Sequence, residues 1–182
     1  MKLTKIERKI IVHKEVEAKI ENGLVKMKGQ RGVISRILRY PSIKIKKEND
    51  KIIVFSENQS KKQKRIINTY VSIIKIMITG VLYGYTYKLK ICSGHFPMKV
   101  SVDSNIVTIN NFLGEKIPRK AKILPNVSVK IDNDIIQVEG TDIESTSQTA
   151  ANMEQATRIT NRDRRIFQDG IFIIEKAGIS IK

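Results

Sequence analysis

The sequence predicts an α+β protein of two similar domains, each a mainly antiparallel sheet packed against one helix, arising from an internal duplication. Three observations predict it. Runs of alternating apolar and polar residues come in pairs around Asn- and Asp-containing turns, the pattern of hairpins. Each group of hairpins leads into capping residues and then apolar residues spaced three and four apart, the pattern of a helix. The same order then occurs a second time, with Val25 aligned to Val107 and Ile52 to Ile135, offsets of 82 and 83 positions.

In the first copy, Val16 to Ile20 alternates, Glu21-Asn22-Gly23 turns, and Leu24 to Met27 alternates again. A second hairpin runs through Ile43 to Lys46, the turn Glu48-Asn49-Asp50, and Ile52 to Phe55. The polar stretch Ser56 to Ser60 supplies caps for a helix carrying Ile66, Ile67, Tyr70, Val71, Ile74 and Met77 on one side, with Gly80 as its expected stop. In the second copy, Tyr85 to Lys90 opens a strand. Met98 to Val102 turns at Asp103-Ser104-Asn105 into Ile106 to Ile109, and Val127 to Ile131 turns at Asp132-Asn133-Asp134 into Ile135 to Val138. Thr141 and Asp142 offer caps to a helix from Glu144 to about Ile159, with Ala150, Met153, Ala156 and Thr157 on one side. The boundary is expected at Gly80 to Gly84, giving domains 1–80 and 81–182.

Charge narrows the class of partner. The 182 residues carry 34 Lys and Arg against 18 Asp and Glu, a net charge of +16, while a hydrophobic fraction of 41% is enough to build a core. The excess must therefore lie on the surface of a folded protein, where it calls for a polyanion, nucleic acid first of all. It is unevenly placed: residues 1–80 hold 20 basic and 7 acidic side chains, residues 81–182 hold 14 and 11. The apolar stretch Val71 to Tyr85 is short and contains Lys75, and the start Met1-Lys2-Leu3 and end Ser180-Ile181-Lys182 carry no lipidation signal, so no membrane partner is expected. Glu7, Arg8 and Lys9 stand where a secretory leader would be apolar, and the lone Cys92 fits a reducing compartment, which points to the cytoplasm.

Catalytic chemistry finds no support. Cys92 and His95 form a Cys-x-x-His pair, but His13 is the only other histidine and no second cysteine exists, so a four-ligand nitrogen and sulfur site cannot be completed. No carboxylate pair or glycine-rich phosphate loop stands out. The expectation is a protein that is not an enzyme, with no cofactor, metal or small-molecule substrate. Basic clusters remain: Lys61-Lys62-Gln63-Lys64-Arg65 at the start of the first helix, Lys116, Arg119, Lys120 and Lys122 after Gly114, and Arg158, Arg162, Arg164 and Arg165 after the second helix. Each is either a phosphate-binding surface or a solvated face. Aromatic residues are only 5%, so phosphate contacts and RNA shape are expected to dominate over base stacking.

Three motifs add a family resemblance. Gly94-His95-Phe96-Pro97, Asn111-Phe112-Leu113-Gly114-Glu115-Lys116 and the run from Gly140 to Lys176 together resemble the large-subunit ribosomal protein L-six family, called L-nine in eukaryotic cytoplasmic ribosomes. The His-Phe-Pro and Asn-Phe-Leu-Gly-Glu-Lys elements are typical of its eukaryotic and archaeal versions. Departures from the family pattern fall at Asn110, Cys92-Ser93 and Gln168. The resemblance implies two α+β domains and a structural role in the large subunit. It also implies contact with large-subunit rRNA near the sarcin-ricin loop and the stalk base, where translational GTPases dock, beside neighbouring ribosomal proteins, with nucleolar assembly in a eukaryote. On this reading the second domain docks through His95, Lys116, Arg119, Lys120, Arg158, Arg162, Arg164 and Arg165, and the first adds basic surface. The alternative from a different class is a cytosolic basic adaptor for acidic protein partners.

Overall fold

A computed structural model of the chain describes residues 5–58 and 60–181. Gln59 of the expected capping stretch and both chain ends, residues 1–4 and 182, lie outside the described residues. The chain divides into two compact units, one up to Gly84 and one from Tyr85.

In the first unit the strands are β1 (Ile6–Ile11), β2 (Glu17–Glu21), β3 (Leu24–Gly29), β4 (Gly32–Ile37), β5 (Lys44–Glu48) and β6 (Lys51–Ser56), followed by helix α1 (Lys61–Leu82). They pair antiparallel as two three-stranded sheets, β1-β6-β5 and β2-β3-β4. Alternation places Val25, Met27, Ile52 and Val54 inward, where they meet Ile67, Ile74, Met77 and Val81 of α1 in one core. Phe55 faces the other side of its sheet and is still buried, because the ammonium groups of Lys5 and Lys46 lie 4.5 and 5.6 Å from its ring centroid. By length and hydropathy α1 would suffice to cross a bilayer, but its apolar face is packed on these sheets.

The second unit contains β7 (Tyr85–Cys92), β8 (Lys99–Asp103), β9 (Ile106–Asn110), a single 3-10 turn (Phe112–Gly114), β10 (Arg119–Lys122), β11 (Val127–Asp132), β12 (Ile135–Gly140), helix α2 (Ile143–Ala156), β13 (Gly170–Lys176) and β14 (Ile179–Ser180). Its sheets have the orders β10-β9-β8 and β11-β12-β7-β13-β14. The first unit's β2-β3-β4 thus has its counterpart in β8-β9-β10, and β1-β6-β5 in β7-β12-β11, with β13 and β14 added beyond. The duplicated plan extends to single dihedrals. Left-handed residues occupy the matching turns, Asn22 with Ser104 and Asn49 with Asn133, and the helices start on matching caps, Ser60 and Asp142.

Three expectations need correction. The second pair of hairpins aligns with an offset of 84, not 83: Ile52 corresponds to the fully buried Ile136, because Glu48↔Lys51 and Asp132↔Ile135 are the pairs that close the two turns. In a strand, one residue of slip is a change of face. Helix α1 does not stop at Gly80, which is buried within its last turn; the stop is Gly84, whose φ of +75° lets its N–H reach the Gly80 carbonyl at 3.0 Å. Helix α2 ends at Ala156 and not near Ile159. The Thr157 hydroxyl accepts the N–H of Ile171 at 2.9 Å, so β13 takes over where the helix would have continued.

Candidate nucleic-acid interface

Pairing register brings three connections of the second unit to one end. Cys92 pairs with Gly170, so the segment leaving β7 starts beside the segment entering β13. Asn110 pairs with Lys99 and Ile109 with Arg119, so the entry to β8 lies beside the β9 to β10 connection. The three connections are residues 93–98, 111–118 and 157–169. In the first unit the β3 to β4 connection, the counterpart of 111–118, is the two-residue turn Gln30-Arg31. The duplicated scaffold has been extended here.

The connections hold one another in a closed circuit. Asp169, 3% exposed, accepts the backbone N–H groups of Gly94 at 2.5 Å and His95 at 3.0 Å through Oδ1, while Oδ2 lies 2.5 Å from Nδ1 of His95. Burial alone would raise the Asp169 carboxyl, but the bonds from His95 and Gly94 outweigh it and hold the group below the usual carboxylate range. From the same loop, the Pro97 carbonyl accepts Nδ2 of Asn111 at 3.0 Å, and the Phe96 ring lies against Gly114. Gly114 needs its φ of +79°, and Asn111 and Leu113 beside it also adopt left-handed backbone, a strained conformation for leucine that its surroundings must impose.

Arg119 closes the circuit. Its Nε and Nη2 pair with the Glu115 carboxylate at 2.8 and 2.6 Å, its Nη1 donates to the Ala156 and Arg158 carbonyls at 3.0 and 3.1 Å, and its guanidinium lies 4.3 Å from the centroid of buried Phe112. It therefore satisfies carbonyls at the end of α2, where no basic residue stands in the last turn. Arg119 bonding holds the Glu115 carboxyl below its usual range.

The remaining sequence-derived residues lie around this circuit. Lys116, Arg158, Arg162 and Arg164 are exposed on the two longer connections. The guanidinium of Arg162 lies 4.9 Å from the Phe167 centroid, and His95 stacks on the same ring at 4.8 Å with an angle of 26°. Arg165, with its side chain 90% exposed, is paired with Asp163 at 2.8 Å. Lys120 is exposed on β10 beside the 111–118 connection. A groove lined by Cys92, Glu154, Arg158, Arg164, Phe167 and Phe172 opens next to them. Lys61, Lys62, Lys64 and Arg65 lie in the other unit, at the start of α1, whose first turn is closed by a Ser60/Gln63 capping box. Among the described residues no group of His, Cys, Asp and Glu could hold a metal ion.

Inspection of charge alone misses Asp169, Phe167, Phe112 and Glu115. A signal exists in Asp169-Gly170, an acidic residue directly ahead of the apolar run Ile171 to Ile174 and behind four arginines, where a carboxylate has to be either exposed or paired.

Two stretches of the chain, residues 12–84 and 96–170, match the family described as Ribosomal protein L6. The chain belongs to the ribosomal protein L6 family. The two stretches follow the two units, with the second ending on Gly170. Among curated relatives, the large ribosomal subunit protein uL6 of Methanococcus vannielii is 47% identical over 173 residues, covering 95% of each chain. That of Ignicoccus hospitalis is 45% identical over 170 residues, covering 91% of each. Membership in the L6 family makes the chain a ribosomal protein, a structural component and not an enzyme.

Proposed function

We propose that this chain is a constituent of the large ribosomal subunit that binds folded rRNA through the three-connection end of its second unit, near the sarcin-ricin loop and the region where translational GTPases dock. It supports translation in the cytoplasm among neighbouring large-subunit proteins. The relatives' printed names support the subunit. The observation that carries the docking surface is the circuit itself: a rigid, mutually bonded set of connections displays Lys116, Arg158, Arg162, Arg164 and Arg165 together at one end. Exposed guanidinium groups on a rigid frame suit phosphate oxygens, whose fork geometry they match, and a rigid frame suits the fixed shape of folded RNA.

In this reading His95, Lys116, Lys120, Arg158, Arg162, Arg164 and Arg165 contact RNA, while Arg119, with four donor bonds spent inside the unit, positions the others. Crosslinking in growing cells, followed by identification of the joined macromolecule, tests it. Large-subunit rRNA attached to peptides spanning 94–97, 111–116 and 158–165 is the expected result. Attachment only to acidic proteins, or to RNA outside the large subunit, would overturn it.

A further inference from the structure

We propose that the groove beside the end of α2 is a nucleobase site, in which an unpaired base of the bound RNA stacks on Phe172 while Arg158 and Arg164 hold the adjoining phosphates. The proposal rests on the rRNA-docking reading and adds to its phosphate contacts a site that takes one base.

The free edge of β13 creates the hollow. This strand pairs with β7 on one side, and on the other with β14 only at Glu175 and Lys176. From Gly170 to Ile174 no strand stands on that second side among the described residues. Side chains from α2 and its cap take the place of one. The Thr157 hydroxyl accepts the Ile171 N–H at 2.9 Å, and Glu154 Oε1 accepts the Ile173 N–H at 3.2 Å. A partner's strand would find these donors already satisfied, so the edge is closed to strand addition while the space beside it stays open. Gly170 shapes the floor. A Cβ there would come within 3.0 Å of the Phe172 ring, so the ring lies against bare backbone. The resulting groove holds about 680 Å³, inside the range of roughly 300–1,000 Å³ that ligand sites occupy.

The lining selects the occupant. Phe172, 38% exposed, shares the walls with Phe167, Ile159 and Cys92. Phe167 already carries His95 and Arg162 against its ring, which leaves Phe172 as the stacking surface. Arg158 and Arg164 line the same groove. An apolar side chain from a protein neighbour would match the walls and leave these guanidinium groups without an anion. A nucleotide matches both, with a flat ring for the aromatic wall and a phosphate on either side for the arginines. Two amides stand ready for the base edge. The Gln155 side chain makes no hydrogen bond among the described residues, and Gln168, which donates to the Arg165 carbonyl at 3.1 Å, keeps its amide oxygen. The low aromatic content of 5% conceals this site, because four of the five phenylalanines, Phe96, Phe112, Phe167 and Phe172, gather at this end of the second unit.

Cys92, the chain's one thiol, lies in the groove wall and reports its occupancy. The full-length chain is mixed with deproteinised large-subunit rRNA at about ten times its Kd and treated with N-ethylmaleimide. Alkylation of Cys92 should slow roughly tenfold, as the free fraction falls. Polyphosphate, which carries the charge without bases, should leave the rate unchanged. Phe172→Ala should weaken rRNA binding roughly tenfold, the size of one lost stack, with no change in the slope of log K against log salt, and Phe172→Tyr should bind as wild type. Chemical probing of all four base types should show an unpaired rRNA base shielded by wild type and by Phe172→Tyr, and reactive again with Phe172→Ala. Circular dichroism checks the fold of each variant. Should Phe172→Ala not fold, the Cys92 comparison, made on the wild-type chain, decides alone.

Equal protection of Cys92 by polyphosphate and rRNA would overturn the base in favour of a phosphate. Free alkylation in the rRNA complex, or a folded Phe172→Ala that binds as wild type, would overturn the nucleobase site and leave the docking reading intact. A thiol that is free in the rRNA complex and blocked in intact large subunits would give the groove to a protein side chain. No binding to large-subunit rRNA would overturn both.

Discussion

At Arg119 the sequence shows one more member of a basic cluster, and the structure shows an internal brace. The reason is that the guanidinium can satisfy several acceptors at once, and three meet there: the Glu115 carboxylate, the Ala156 carbonyl at the end of α2 and the Arg158 carbonyl. Replacing it with lysine keeps the charge and loses the fork. Arg119→Lys should lower unfolding stability by about 1–3 kcal/mol, measured by urea titration. Glu115→Gln should cost less, and the double variant less than the sum, because the two share one interaction. Additive losses would show that the pair is not a unit. The pH dependence follows from the depressed Glu115 carboxyl. A group whose folded value lies below its unfolded value of about 4.3 stabilises the fold above that pH and loses the contribution as pH falls through the folded value. Stability should therefore drop more steeply below about pH 4 in wild type than in Glu115→Gln. Asp169, lowered by its bonds from His95 and Gly94, adds to the same acid-side loss.

At the scale of elements, the hairpins and helices that stand between recognisable turns were legible: Asn22-Gly23, Asn49-Asp50 and Asn133-Asp134 each sit where the chain reverses. Apart from β7, whose run Tyr85 to Lys90 is readable by itself, strands without such turns were not legible. β1 (IERKII) mixes charge into its apolar run, β4 follows the unremarkable turn Gln30-Arg31, and β13 enters after the irregular 157–169 connection. Helix ends were misread for a different reason. A glycine stops a helix by its dihedral and not by its presence, so Gly80 and Gly84 look alike in sequence and differ by a positive φ. Close approach is equally hidden. A Cβ at Gly140 would fall on Thr146 Oγ1 and within 3.3 Å of the Asn126 carbonyl, and the Thr146 hydroxyl is already bonded to the Asp142 carbonyl at 2.7 Å. Gly140→Ala should cost about 1–3 kcal/mol on urea denaturation. A change within about 0.5 kcal/mol would mean that the start of α2 yields easily.

At the scale of the whole molecule, bulk charge and the candidate docking surface separate. The first unit holds most of the net positive charge, with Lys61, Lys62, Lys64 and Arg65 at the start of α1, while the bonded circuit of connections belongs to the second. Composition could reveal a polyanion partner, and the motifs could reveal the family, but the convergence of residues 93–98, 111–118 and 157–169 depends on strand register and was visible only in three dimensions. Both basic regions attract RNA by charge, and only a rigid, shaped surface can distinguish one RNA from another. The most direct measurement is the affinity of full-length variants for large-subunit rRNA relative to an unrelated RNA of equal length, across a salt series. Arg162→Ala/Arg164→Ala/Arg165→Ala is predicted to remove most of the preference for large-subunit rRNA, and Lys61→Ala/Lys62→Ala/Lys64→Ala/Arg65→Ala to weaken both RNAs alike and keep the preference. The reverse pattern, preference lost without the four α1 basic residues and kept without the three arginines of the second unit, would contradict docking through the second unit.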